Sequence, residues 1–348
     1  MFGLGVEDSQ PEPLEYAVSV RALFGWLFWS FWILCVVGGG CAPLTAAGFH
    51  EKAPRASAPL PARARIFLVA GGVDVANFAA EIVDQRALWR ERGFSDEEIV
   101  CYYARPTRAG YRSDRRQYRA LFSELDGCYL ASTELLREHL RIAAAQAPPF
   151  LYLYISSHGI AGLVEEGSGL PPDERALLDR YVIQLGEGPG YGIYAEALLE
   201  AYREGRASED LLWTPVVLGE ALSRFAAEIP KIVVLQGCHS GGFLYEPRRR
   251  GAAIQGIPNL TAIASARFDR TSFGCDPGPD MTYFGSLLIS LLDKTGEAAS
   301  GPAEIDWLEL FEALARGIAA IERREGVTAS LPVFFWSGSG EGGPASAD

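Results

Sequence analysis

Histidine and cysteine are scarce in this 348-residue sequence, with four of the first and six of the second. Six cysteines scattered over the whole chain are too few for a disulfide scaffold. No Cys/His spacing fits a structural zinc site. Basic charge is also short: 31 Lys and Arg stand against 44 Asp and Glu, a formal net charge of −13. That argues against nucleic acid as a partner, because phosphate binding needs concentrated Lys and Arg. Gly71-Gly72, after the first apolar run of the globular part, is followed neither by a GxGxxG pattern nor by a P-loop Lys. Nucleotide binding is therefore disfavoured, and no cofactor or metal is implied. No internal repeat is found. What the chain does have is 49% hydrophobic and 22% charged residues, the balance of a folded protein. Its length suits one large domain or two smaller ones.

The segment Ala22–Gly40 carries no charge and ends in Gly38-Gly39-Gly40 before Cys41. Its length is close to the roughly 20 residues that cross a bilayer as a helix. Small residues before a Cys resemble the cleavage and lipidation site of a bacterial lipoprotein, although Gly38 stands where an aliphatic residue is usual. An uncleaved anchor is the rival reading, and the two stay open. Arg21 against Lys52 and Arg55 mildly opposes export of the chain beyond the segment, and Glu7, Asp8, Glu12 and Glu15 are unusual for a signal. A later true start would resolve this. The expectation is a membrane-tethered protein of the cell envelope, held by residues 1–41 or by a lipid on Cys41, with its globular part outside the cytoplasm. Residues 42–63, rich in Ala and Pro, read as a tether, 64–338 as the folded domain, and 339–348 as a disordered tail.

Between Arg65 and Trp336 strands and helices alternate. Short β-branched or aromatic runs at 65–70, 99–103, 150–155, 231–235, 260–264 and 331–335 read as six strands. Helical spacing covers 81–92, 133–146, 216–227, 283–292 and 305–324, with Ser132 or Thr133 as a cap for the second. Continuous apolar strands between amphipathic helices imply an α/β fold, a mainly parallel six-stranded sheet covered on both faces. Ligands of such folds sit at the C-terminal strand ends. The Gly-, Glu- and Pro-rich stretch 160–215 reads either as a lid or specificity insertion or as a decorated surface loop.

The third strand runs into Ser156-Ser157-His158-Gly159, and the fourth into Gln236-Gly237-Cys238-His239-Ser240-Gly241-Gly242. If the two strands are neighbours, His158 and Cys238 leave adjacent edges as a nucleophile–base pair. The flanking glycines allow close approach of backbone to a substrate. A lone strand-end Cys is usually a small buried hydrophobe. The two residues together at matching strand ends are a much rarer accident. His239 does not replace His158, because adjacent residues of an extended chain face opposite sides.

These motifs resemble the legumain-like cysteine peptidases in their bacterial form, within the caspase–legumain superfamily. The resemblance runs from Arg65 to Leu292. It includes Val69-Ala70-Gly71, the Asn77-Phe78 pair, Arg92-Gly93-Phe94, Leu153–Gly159, Val234–Phe243, Thr261–Ala266, Ser272–Cys275 and Thr282–Phe284. Cys-His-Ser-Gly is also similar to metacaspases, but their acidic calcium-type segment is not evident at 160–167. The resemblance implies a caspase-like three-layer αβα sandwich and a thiol endopeptidase acting on a peptide or protein substrate. Cys238 would be the nucleophile and His158 the general acid/base. Backbone N–H groups of Gly159 and Cys238 would hold the oxyanion, and Asn77 would orient His158. Ser265, Arg267, Asp276 and Asp280 stand as pocket candidates, the two aspartates equally readable as turn residues beside Pro277 and Pro279. The family's pocket Arg, two residues past the Asn-aromatic pair, is missing: Ala79-Ala80 occupy that place. Cleavage after Asn is therefore left open.

The other cysteines read more plainly. Cys35 lies in the apolar segment, and Cys275 reads as a pocket-wall residue. Cys101 and Cys128 are candidates for a disulfide if the domain is exported. A catalytically silent binding module and a transpeptidase or ligase using the same acyl-enzyme are the competing functions.

Overall fold

The computed structural model describes residues 59–162, 169–186, 198–245, 254–275, 279–296 and 299–338. The attachment expected of residues 1–41 with Cys41, most of the tether, Asp276 and the 339–348 tail lie outside them. Among the described residues no helix is long and apolar enough to cross a membrane.

The main sheet is built from β1 (Ile66–Ala70), β2 (Ile99–Tyr103), β3 (Tyr129–Leu130), β4 (Leu151–Ser156), β7 (Lys231–Gln236), β8 (Leu260–Ala264) and β9 (Val333–Ser337). They lie in the order β3-β2-β1-β4-β7-β8-β9. All pairs are parallel except β8–β9. Seven strands replace the six expected. The addition, β3, is only two residues long and exists through its pairing with Tyr102 and Tyr103 of β2; such a segment has no periodicity to read. The last strand begins at Val333 and not at 331.

Strand alternation sends side chains to two covered faces. Phe67, Val69, Leu153, Ile155, Val233 and Leu235 enter one core with Leu136 and Leu140 of helix Thr133–Ala145 and Leu218 and Leu222 of helix Pro215–Leu222. Fully burying such a side chain contributes about 1.5–3 kcal/mol. The opposite face takes helix α1 (Asn77–Glu91) and meets it partly through polar groups: the Tyr152 hydroxyl donates to Gln85 Oε1 at 2.8 Å. The expected cap Ser132 accepts from the Leu135 amide. Helix α1 starts four residues earlier than its apolar spacing indicates. Its entry amide, Ala76 N, donates to Asp114 Oδ2 at 3.0 Å, a partner 38 positions away.

The insertion after β4 is more than a loop where it is described. Strands β5 (Gly159–Ile160) and β6 (Val182–Ile183) pair antiparallel. Ile160, Leu177, Leu178, Val182, Leu211 and Leu212 are part of a small core of its own.

Cys101 and Cys128 form a disulfide, joining β2 to the residue before β3 across a separation of 27. A loop of that size confers about 3–4 kcal/mol by chain entropy. The double variant Cys101→Ser/Cys128→Ser is expected to melt several degrees lower at unchanged far-UV circular dichroism; an unchanged midpoint would exclude a stabilising role.

Candidate active site

Strands β4 and β7 are parallel neighbours, with Ser156 opposite Gln236. The register continues past the strand ends, where Ser157 N donates to the Gln236 carbonyl at 3.1 Å. His158 and Cys238 thus leave adjacent strands at the same level. Between them the backbones lie flush, since a Cβ on Gly159 would collide with the Cys238 carbonyl oxygen. Only glycine fits there.

The Cys238 sulfur accepts from Ser272 N at 3.4 Å and lies 3.6 Å from the Ser272 carbonyl oxygen. Its thiol is lowered to about 6. The leading cause is the Cys275 thiol beside it. Burial opposes the shift, while the Ser272 amide and the charges of His239 and His158 add to it. A thiolate prepared in this way is the competent nucleophile at neutral pH. Cys238 and Cys275 are the free cysteines among the described residues.

His158 Nε2 meets Asp74 Oδ1 at 2.8 Å. The imidazole is sheltered, 12% exposed, whereas the Asp74 side chain is 55% exposed. Phe78 packs edge-on against the ring at 5.1 Å between centroids. Burial pushes the Asp74 carboxyl up, but the hydrogen bond and charge of His158, with backbone donors at Asp74 and Val73, outweigh it and hold the group below its ordinary value. Asp74 fixes the orientation of the ring. If His158 serves as a catalytic base, Asp74→Asn is expected to lower turnover about tenfold, less than for a buried orienting carboxylate because Asp74 is half in water. KM should change little, so the loss falls on kcat; an unchanged kcat would remove Asp74 from the site.

The expectation for Asn77 needs correcting. It is buried, and its Nδ2 donates to the Gly274 carbonyl at 2.6 Å while its Oδ1 accepts from Phe78 N. Asn77 therefore holds the 272–275 loop that carries Ser272 and Cys275, and its neighbour Phe78 supports the histidine. Ser265 is also buried. Its hydroxyl accepts from Gly237 N at 2.9 Å and lies 3.1 Å from Gly237 O, so it braces the turn before Cys238. Arg267 forks onto Asp269 at 2.5 and 2.8 Å. Asp280 is exposed and offers only its backbone carbonyl, to Gln117 Nε2 at 2.6 Å, in keeping with a turn residue. His239 has φ 59° and places Nδ1 3.0 Å from the Phe268 carbonyl oxygen, away from the shuttle position.

Sequence reasoning misses Asp74, Ser272 and the closeness of Cys275 to Cys238. Asp74 has a readable signal: it lies just past the C-terminal end of β1, which neighbours β4. Ser272 and Cys275 come from a loop with no such mark.

A cavity of about 560 Å³ lies at the other end of the sheet, lined by Lys231, Asn259, Trp307, Phe334 and Trp336 among others. Its Lys231 ammonium is spent on the carbonyls of Ala226, Ile229 and Pro258. No cysteine or histidine lines it.

No protein-family model matches the sequence, and no curated protein matches it. Solved structures with a similar chain trace include a protein from Geobacter sulfurreducens at 14% identity and TM-score 0.45, covering 79% of this chain and 94% of that one. Caspase-1 from Spodoptera frugiperda gives 11% identity and TM-score 0.44, covering 82% of this chain and 95% of its own. Likeness at this level says nothing about activity.

Proposed function

We propose that the protein is a caspase-like cysteine endopeptidase of legumain type. The observation that carries this is the register-matched exit of His158 and Cys238 from adjacent parallel strands, with the thiol lowered to about 6. In the proposed reaction Cys238 Sγ attacks the scissile carbonyl carbon, and the carbonyl oxygen takes the negative charge. Backbone N–H groups of Gly159 and Cys238 receive that charge. His158 gives its proton to the leaving amine, and the C–N bond breaks to a thioester. Water, deprotonated by His158, attacks the thioester and releases the acid and the thiolate. Asp74 keeps His158 oriented throughout. The Cys101–Cys128 disulfide supports placement of the domain outside the cytoplasm.

Profiling with a diverse peptide library tests the reading. Cleavage should appear with the wild type and vanish in Cys238→Ala and in His158→Ala; cleavage that persists in Cys238→Ala overturns it.

A second measurement addresses the thiol. Iodoacetamide alkylation of Cys238, followed by mass spectrometry against pH, should reach half its maximal rate near pH 6, where an ordinary thiol needs about 8.5. Cys275→Ala should move that midpoint upward, since the Cys275 thiol is the leading cause of the shift. A midpoint that stays near the ordinary value would remove the prepared thiolate.

A further inference from the structure

The chain is strongly acidic overall, yet the stretch 105–119 carries six arginines and a single acid, Asp114. Arg105, Arg108, Arg112, Arg115, Arg116 and Arg119 are all exposed. Several surface arginines elsewhere are paired: Arg63 with Glu97, Arg90 with Asp96, Arg141 with Glu138, Arg203 with Glu174. Among the described residues Arg105, Arg108, Arg112, Arg115 and Arg116 have no carboxylate partner. The one local acid is turned inward to the Ala76 amide.

Helix stability does not account for this charge. Arg108 and Arg112 stand four apart in helix α2 (Arg108–Ser113), and Arg115 and Arg119 four apart in helix α3 (Arg115–Leu125). Like charges at that spacing repel. Arg115 and Arg116 also open α3, the end at which a helix dipole disfavours cations. The patch is bound to the site. Thr107 N donates to the Val73 carbonyl at 2.6 Å, Ser113 Oγ to the Asp74 carbonyl at 3.3 Å and the Tyr118 hydroxyl to the Val75 carbonyl at 2.8 Å. The two helices therefore grip the turn that presents Asp74 to His158.

We propose that Arg105, Arg108, Arg112, Arg115 and Arg116 form an exosite that docks an Asp/Glu-rich segment of the protein substrate beside the scissile bond. Cleavage of the docked substrate rests on the peptidase reading, but the docking itself does not need catalysis. Charge complementarity carries the choice of partner. A protein with a net charge of −13 repels an acidic chain over most of its surface, and this patch is where attraction is concentrated. Five unpaired guanidinium groups offer forked donors to successive carboxylates.

The test uses the full chain with Cys238→Ala, so that nothing is cut, and fluorescence anisotropy with a labelled Asp/Glu-rich peptide and its Asn/Gln counterpart. At low salt the acidic peptide should bind at least about tenfold more tightly, with the difference closing as salt rises. Adding Arg108→Glu, Arg112→Glu and Arg116→Glu should abolish the difference at an unchanged melting temperature. In the active enzyme the same three substitutions should leave cleavage of a short uncharged peptide unchanged. Equal affinity for the two peptides, or a preference that survives the charge reversal, overturns the proposal. So does binding only to anionic phosphatidylglycerol vesicles, which would assign the patch to a membrane surface. A peptide preference in a protein that never cleaves would retain the exosite and reject the peptidase reading, so the two failures are separable.

Discussion

Cys238→Ala is expected to lower kcat/KM for peptide cleavage by about a thousandfold or more, His158→Ala by a similar factor, and the double variant no further. In the proposed mechanism the two residues act as one unit. Without the thiol there is no acyl-enzyme for His158 to serve. Without the imidazole the thiolate still forms, helped by Cys275 and Ser272, but the leaving amine has no proton donor. Cys238→Ala should leave the melting temperature close to the wild-type value, since its sulfur makes only weak bonds, to Ser272 and to the Cys275 thiol. Steady-state kinetics of the four proteins on one peptide decide the matter. Effects that multiply in the double variant would mean that Cys238 and His158 contribute separately, contrary to the mechanism.

The largest effect on stability is expected at Glu81. This carboxyl is fully buried on α1 beneath the site. Oε1 accepts from Thr282 N at 2.9 Å and from the Thr282 hydroxyl at 2.6 Å. Oε2 lies 2.6 Å from the Tyr154 hydroxyl and bonds Ser156 Oγ. Ser156 Oγ is also 3.0 Å from Gln236 Oε1, and one hydroxyl hydrogen cannot serve both neighbours. A proton on Glu81 donated to Ser156 removes the conflict, as does the other orientation of the Gln236 amide with Ser156 donating to Glu81. Burial pushes the group up in the same sense, against the pull of its hydroxyl and amide donors. Gly285 lies so close that a Cβ there would strike the carboxyl carbon of Glu81. The network ties β4, β7 and the start of helix Tyr283–Lys294 together just before His158 and Cys238.

Glu81→Ala strands several buried polar groups and opens a cavity, at a cost of about 3–5 kcal/mol. That corresponds to a melting midpoint lower by about 10 °C. Glu81→Gln keeps most partners and should lose much less. The pH dependence has a definite sign. A carboxyl whose folded pKa is raised binds its proton more tightly in the native state, so its contribution is complete below the ordinary Glu value near 4.3 and falls as pH rises through the folded value. The stability of the wild type relative to Glu81→Gln should therefore decline as pH rises above the ordinary Glu value. Chemical denaturation at several pH values reads this directly, and a relative stability that rises with pH would refute a protonated Glu81.

Much of the framework is readable along the chain. β2 and β8 fall on the expected residues 99–103 and 260–264, because continuous β-branched and aromatic runs mark strands buried on both faces. Ser132 caps its helix through its own side chain, a local interaction and hence a local signal. Some bounds differ by a few residues, as where the helix expected over 216–227 ends at Leu222, but the larger failures are long-range. Apolar spacing places α1 late because the entry amide of that helix is satisfied by Asp114, from another helix. β3 escapes a sequence reading because two residues become a strand only beside β2. Resemblance gives Asn77 to His158, whereas its amide reaches Gly274, 197 positions away.

By itself, then, the sequence determined which residues are available for chemistry: His158 and Cys238, each followed or preceded by glycine at the end of a buried apolar run. Strand periodicity is a property of neighbouring residues, so it can be read without a fold. Only the tertiary structure decided that β4 and β7 lie side by side in register, that Asp74 meets His158 across 84 positions, and that Ser272 and Cys275 surround the sulfur. Those facts depend on chain crossovers and loop packing between distant segments. No local pattern encodes them, and they support the proposed roles of Cys238 and His158.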